Sequence, residues 1–337
     1  MKEAMFYQSG KGNEVICELC HHHCRIKEGK RGICGVRENR NGKLYSLVYG
    51  RLIAENIDPI EKKPLFNFLP ASTAYSISTV GCNFRCLHCQ NYDISQYPHA
   101  HNGEIAGKER SPEAVVDDAS RTGCASVCYT YVEPTIFYEF AYDCSVIAHE
   151  RGLKNVFVSN GYMTPEVTRH LASVLDGINI DIKAFTDDFY KKVCKARLQP
   201  VLDNVKLMHE LGVWVEVTTL LIPGLNDSPD ELRQIAGFVH SVSPDIPWHV
   251  TAFYPTYKMM DRQPTPVETL RKARQIGIEE GLNYVYEGNI PGEGGENTYC
   301  PGCGEELISR YGFSIRQNSL TAGRCTKCGH QIAGVWS

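Results

Sequence analysis

Between about residue 73 and residue 290 the chain alternates short apolar, β-branched runs with longer stretches whose apolar positions recur at helical spacing. Strands buried on both faces and covered by crossover helices produce this pattern. The strand candidates are AYSISTV, ASVCYTY, NVFVS, GINIDIK, VWVEVTTLLI, PWHVTAF and YVYEG. Ser111-Pro112, Thr164-Pro165, Ser228-Pro229 and Thr265-Pro266 each set a capping side chain before a proline suited to a first helical turn, and Glu231 and Glu268 complete capping boxes. About six βα units are too few to close an eight-stranded barrel. The expected fold is α/β, a partial (β/α)6 TIM-like barrel, although a doubly wound sheet would give the same alternation.

Either architecture places ligands at the C-terminal ends of the strands. The conspicuous polar residues do follow strands. A cysteine loop comes after AYSISTV, Tyr131 to Pro134 after ASVCYT, Ser159-Asn160-Gly161 at the end of NVFV, and Asp181 with Lys183 after GINI. A shared pocket is expected from four such loops. Asp181 and Lys183, two apart on a strand, leave by one face, and such a pair is costly in a buried strand unless it meets a polar cavity or a partner. On VWVEVTTLLI the same alternation puts Glu216, Thr218 and Leu220 on one face. His249 is expected as a core histidine or a substrate contact.

With 337 residues, 42% of them apolar, the chain can bury one large core and carry small appendages. No run approaches the roughly 18 apolar residues of a membrane span, and the first residues lack a secretory apolar segment, so a cytoplasmic location and no membrane partner are expected. Lys and Arg number 35 against 39 Asp and Glu, which argues against nucleic acid as a general partner. Fifteen cysteines in a reducing compartment call for metal ligation. Eleven fall into three groups, and Cys124, Cys128, Cys144 and Cys194 read as small buried hydrophobes.

The central group, Cys82, Cys86 and Cys89 in GCNFRCLHCQN, supplies three closely spaced thiolates, enough to hold an iron-sulfur cube with one iron open. A closed zinc site would need a fourth ligand, for which His88 is at hand. The C-terminal group, Cys300, Cys303, Cys325 and Cys328, forms two Cys-x-x-Cys-Gly knuckles, a zinc-ribbon-like or rubredoxin-like site for zinc or iron. The N-terminal group, Cys17, Cys20, Cys24 and Cys34, interleaved with His21, His22 and His23, suits either zinc or a second iron-sulfur cluster. The corresponding division is a Cys-rich module over 1–50, a linker over 51–72, the barrel over 73–290 and the C-terminal module over 291–337, with GNIPGEGGEN as a flexible connection.

The C-x3-C-x2-C run, with the strand before it and Gln90-Asn91 after it, resembles the signature of radical SAM enzymes. CELCHHHCRIKEGKRGICGVREN, INIDIKAF and the two C-terminal knuckles resemble the pyruvate formate-lyase activating enzyme-like group known as the AmmeMemoRadiSam system. The resemblance implies a [4Fe-4S] cluster on Cys82, Cys86 and Cys89, with S-adenosylmethionine (SAM) on the open iron and reductive cleavage to a 5'-deoxyadenosyl radical. It implies a flavodoxin or ferredoxin as electron donor, MEMO-type and AMMECR-type proteins as associates, and a small-molecule or protein substrate. It also assigns SAM-contacting positions to Glu133, Asn160, Asp181 and Lys183.

The chain departs from the family pattern at several places, among them Thr218, where the activating enzymes carry an arginine. His88 replaces the usual aromatic residue, Tyr131-Val132 replace two glycines before Glu133, and Val158 replaces an aspartate before Asn160. The rival expectations are an activating enzyme for a glycyl radical enzyme and a zinc-stabilised scaffold. For Glu133 the competing role is a helix N-terminal carboxylate, and for Asn160 a plain turn.

Overall fold

The computed structural model describes residues 1–337. Its centre is an eight-stranded sheet: β1 (Ala54–Pro59), β2 (Thr73–Ser78), β3 (Ser126–Tyr129), β4 (Lys154–Ser159), β5 (Gly177–Asp181), β6 (Trp214–Leu221), β7 (Trp248–Ala252) and β8 (Val285–Gly288). Each strand pairs with its successor in the chain; β1 runs antiparallel to β2, and β2 through β8 are parallel. A doubly wound sheet reverses strand order at a switch point, and this sheet does not. It is therefore a barrel segment that curls without closing, as β1 and β8 are not paired.

The crossovers carry α1 (Pro112–Arg121), α2 (Tyr138–Glu150), α3 (Pro165–Leu171), α4 (Gln199–Glu210), α5 (Pro229–Val242) and α6 (Val267–Glu279). Two of the expected caps form: Ser111 Oγ accepts from Ala114 N, and Ser228 Oγ accepts from Glu231 N. The other two hydroxyls serve tertiary contacts instead. Thr164 donates to the Glu18 carbonyl, tying α3 to the N-terminal module, and Thr265 joins β6 and β7 through Leu221 O and Phe253 N. Glu231 does not close a capping box, because its carboxylate accepts from Phe185 N, 2.7 Å away.

The segment expected as a linker, 51–72, is integral to the barrel. It supplies the edge strand β1 and then a turn that enters the barrel floor, where Phe66 packs against His249 and Tyr286 at ring-centroid distances of 4.7 and 4.8 Å. Glu216, wholly buried on β6, accepts Phe66 N at 2.9 Å, Asn67 N at 2.8 Å and Trp214 Nε1 at 3.0 Å. His249 Nε2 adds a contact at 2.6 Å, so this histidine belongs to the core. Alternation brought the carboxylate to the interior face, and the incoming turn gave it work there.

The terminal modules are docked rather than tethered. Val15, Leu19 and Ile26 belong to the same core as the barrel strands. At the other end Phe66, Tyr284 and Tyr286 of the barrel share a second core with Leu307, Ile308 and Ile332. Arg310 reaches through that interface to donate to Phe66 O at 2.9 Å and lies 4.4 Å from the Phe66 ring centroid. GNIPGEGGEN, expected as a flexible connection, is held by bonds from Gly292 N and Gly312 N to Glu296 Oε1 and from Glu287 N to Gly295 O. Paired backbone amides remove the freedom a linker would have.

Replacing Glu216 by alanine orphans two buried amides and an indole N–H. Urea unfolding of Glu216→Ala is expected to show a loss of about 3 kcal/mol or more; a loss below about 1 kcal/mol would mean the floor does not depend on this carboxylate.

Candidate active site and metal centres

At the C-terminal ends of the parallel strands the loops enclose a cavity of about 480 Å³. Its wall includes all seven residues expected there: Cys82, Cys86, Cys89, Glu133, Asn160, Asp181 and Lys183. The volume falls in the range of small-molecule sites, about 300–1,000 Å³.

The cysteine loop is built to present sulfur. Cys82 Sγ receives Phe84 N at 3.4 Å and Asn160 Nδ2 at 3.7 Å, while Cys89 Sγ lies 3.3 Å from Ser95 Oγ. These donors suit thiolate. Burial opposes it in the free protein and pushes the Cys82 and Cys89 thiols up; at Cys86 the thiol of Cys194, then burial, does the same. A bound cationic cluster is what would release those protons. The three thiols line one cavity, and two of them, Cys82 and Cys89, already have N–H or O–H partners, so the residues present fit an iron-sulfur cluster.

Cys194 is the residue that sequence reasoning placed too modestly. It is buried, as expected, but it ends a π-helical turn, Tyr190–Cys194, against the cysteine loop. Arg85 N donates to Cys194 O at 3.0 Å and Leu87 N to Val193 O at 3.1 Å. Such turns recur at functional sites. No local spacing could have revealed a contact between positions so far apart in the chain.

His88, offered as a zinc ligand, faces the same cavity with its Nδ1 unpartnered. Burial first, and the Lys183 charge second, lower its pKa to about 3, so the ring is neutral at physiological pH. Lys183 Nζ pairs with Asp181 Oδ2 at 2.9 Å. Burial works against the ammonium, but the Asp181 carboxylate outweighs it and holds the lysine charged. Asp181 remains open to the cavity. Beside them, across from Asp181 on β6, the buried Thr218 hydroxyl also lines the cavity without a protein partner.

Glu133 performs the capping role that competed with SAM binding. It is buried, caps the turn at Pro134–Phe137 through Thr135 N at 3.1 Å, and accepts Ser159 Oγ at 2.9 Å and Asn160 N at 2.6 Å. Burial raises its pKa, and Thr135, Asn160 and Ser159 pull the other way. Asn160 is more than a turn residue, since its amide reaches Cys82. The missing glycines do not prevent the turn: Tyr131 itself takes φ +66°. That conformation costs a non-glycine residue about 1–2 kcal/mol. Bonds from the Tyr131 hydroxyl to Asp58 and from Asn91 Nδ2 to Tyr131 O, with Lys63 Nζ 4.7 Å from its ring centroid, hold it. Val158 lines the cavity as an apolar patch where a carboxylate was absent from the sequence.

The two terminal groups differ in spacing. The C-terminal thiols all lie within 4.8 Å of one another, with Cys300 and Cys328 Sγ 3.6 Å apart and Cys303 and Cys325 Sγ 3.8 Å apart. A tetrahedral ion with metal–sulfur bonds of about 2.3 Å spaces its thiolates by about 3.8 Å. The backbone N–H of Cys328, foremost, lowers the Cys325 thiol to about 7. This site can hold one metal ion. The N-terminal thiols instead ring a separate cavity with Leu19, Ile26 and Ile136. Phe313, on the C-terminal hairpin, and Asn289 complete the mouth of the large cavity, and neither was anticipated.

Residues 76–239 match the Radical SAM superfamily. The chain is 52% identical to the uncharacterized protein MJ0808 of Methanocaldococcus jannaschii over 98% of this chain and 99% of that one. It is 24% identical to the pyruvate formate-lyase-activating enzyme of Clostridium pasteurianum over 61% of this chain and 89% of that one. Among solved structures, Streptococcus suis SuiB bound to precursor peptide SuiA aligns with a TM-score of 0.51 at 15% identity, covering 68% of this chain and 51% of SuiB. That likeness concerns the fold. No helix is long and apolar enough to cross a membrane.

Substitution of Cys303 by serine is expected to lower bound metal by one equivalent per chain, measured by elemental analysis after gel filtration, and to leave the iron content of the barrel cavity unchanged. Unaltered metal content would exclude the four C-terminal thiols as a site.

Proposed function

The chain belongs to the radical SAM superfamily, and from that premise we propose that this enzyme binds SAM in the cavity at Cys82, Cys86 and Cys89 and abstracts hydrogen from a substrate entering past Phe313 and Asn289. The carrying observation is that three thiols and the Asp181–Lys183 pair line one cavity. When loaded, the cluster and SAM supply one-electron cleavage of the sulfonium and a carbon-centred radical. The protein's own residues do the rest. Lys183 is a fixed cation for the carboxylate of the amino acid moiety, Asp181 an acceptor for its ammonium, and the Thr218 hydroxyl a further donor deep in the cavity. Asn160 steadies Cys82, and Glu133 positions Asn160 rather than touching the ligand. His88, neutral, offers a donor or acceptor without adding charge beside the cluster. The loops and the apolar Val158 patch limit water, which protects a radical from side reactions.

A second reading has one observation in its favour: the likeness to an activating enzyme of pyruvate formate-lyase. In that reading the hydrogen comes from a glycine of a partner protein, and a glycine-centred EPR signal on a co-purified protein would identify it. A zinc-stabilised scaffold without catalysis is set aside, since the chain is an enzyme of this superfamily. Zinc is our reading for the C-terminal four-thiolate site, on its spacing. A flavodoxin or ferredoxin is the proposed reductant, and MEMO-type and AMMECR-type proteins are candidate associates.

After anaerobic reconstitution with iron and sulfide, dithionite-reduced protein is expected to cleave SAM to 5'-deoxyadenosine and methionine, detected by chromatography, and Cys86→Ala to lose this activity. Cleavage at an unchanged rate in Cys86→Ala would refute the assignment. Lys183→Ala is expected to weaken SAM binding about tenfold or more by calorimetry, equivalent to about 1.4 kcal/mol; unaltered affinity would remove Lys183 from the site.

A further inference from the structure

The N-terminal cysteines enclose a cavity whose wall contains an incompletely satisfied cation. Arg37 is 1% exposed and lines the cavity with Cys17, Cys20, Cys24 and Cys34. Its Nη2 bonds Glu139 of α2, but Nε and Nη1 have no partner. The N–H groups on these two buried nitrogens are costly to leave unpartnered unless an acceptor arrives. A metal centre with four thiolate ligands is anionic and would provide sulfur acceptors. Spacing indicates which kind. The C-terminal thiols converge within 4.8 Å of one another as one ion requires, whereas the N-terminal four line a cavity without meeting that spacing, as ligands to the four separate iron corners of an iron-sulfur cube would.

The same cavity touches the catalytic loop. Asn83, the residue after Cys82, lines it, and His22 Nε2 lies 2.8 Å from Asn83 O. Asn160 Nδ2 bridges Asn83 Oδ1 at 3.3 Å and Cys82 Sγ at 3.7 Å. On the other side of the contact, Gly81 adopts φ +99°, and a Cβ there would lie 2.9 Å from Cys34 O. Only glycine permits this approach. The backbones of Cys34 and Cys82 are thus separated by little more than one residue, on the order of 10 Å or less. Outward from the cavity, Cys24 is partly exposed, and Arg25, Lys27 and Lys30 around it are exposed with Glu28 as the lone opposing charge in that run.

We propose that Cys17, Cys20, Cys24 and Cys34 hold a second iron-sulfur cluster and that it is the port through which an acidic, low-potential electron-transfer protein reduces the cluster at Cys82, Cys86 and Cys89. This deepens the radical SAM reading and rests on it for the second cluster. One electron leaves a reduced ferredoxin or flavodoxin, reduces the N-terminal cluster, and passes to the catalytic cluster, returning the first to its starting state. No bond forms or breaks and no proton moves in the transfer. Arg37 stabilises the additional negative charge while the electron resides there. The basic rim steers an acidic donor to Cys24.

The test uses the full chain. The triple variant Cys82→Ala, Cys86→Ala, Cys89→Ala, reconstituted anaerobically, is expected to retain roughly four iron and four sulfide with the Mössbauer signature of a [4Fe-4S] cluster. Zinc without sulfide at the remaining N-terminal thiols would overturn the proposal. Should the triple variant fail to fold, Cys17→Ala with Cys20→Ala is expected to lower wild-type iron by about half, and unchanged iron would be equally fatal. For the relay, stopped-flow reduction by reduced ferredoxin is expected to slow roughly tenfold or more in Cys24→Ser, while dithionite, small enough to enter the large cavity, still reduces the catalytic cluster. Equal ferredoxin rates in wild type and Cys24→Ser would refute the port. If wild type with dithionite cleaves no SAM, the radical SAM reading fails, while the N-terminal iron content still reports on the second cluster.

Discussion

An unclosed cylinder has a floor problem: its interior faces carry side chains with nothing opposite them. The buried carboxylate of Glu216 solves it by accepting the Phe66 and Asn67 amides, so that a turn of the preceding segment is drawn into the base of the barrel. Once Phe66 is seated, Arg310 can bond its carbonyl and stack on its ring, and the C-terminal module acquires a fixed position. A buried acid is tolerable only when its lone pairs are all used. Here the number of partners around Glu216, rather than any one bond, makes its burial tolerable and leaves the upper half of the cylinder free to be a cavity.

In that upper half the chemistry follows from position. Loops at the C-terminal ends of parallel strands point the same way, and residues from β2, β3, β4 and β5 meet although they are widely separated in sequence. Two of the three sulfurs that line the cavity, those of Cys82 and Cys89, also have N–H or O–H partners. Positive charge stands by at Lys183, held by Asp181. The strained Tyr131, fastened through Asp58 to the edge strand β1, shows how a turn that usually relies on glycine can be made from another residue when its side chain is anchored.

The N-terminal module differs from the C-terminal one in its relation to this cavity. The C-terminal ribbon secures the floor and sends Phe313 toward the mouth, while its four thiols lie in a self-contained knot. The N-terminal cysteines share a wall with the catalytic loop and a core with the barrel. One module shapes the pocket, and the other adjoins its reactive corner.

The alternation of apolar strands with capped amphipathic helices, the three thiols in GCNFRCLHCQN, the paired knuckles and the Asp181–Lys183 face were all legible in the sequence, because each is a local pattern fixed by strand or helix periodicity. The floor built by residues 60–68, the capping role of Glu133, the diversion of Thr164 and Thr265 from their helix ends, and the apposition of Cys194 to Cys86 were not. Each depends on which distant group arrives within about 3 Å of a polar atom, and a hydrogen bond has no range along the chain from which to infer it. Spacing along the chain thus determined which residues could be ligands; only packing decided which cysteine groups would stand alone and which would adjoin the cavity.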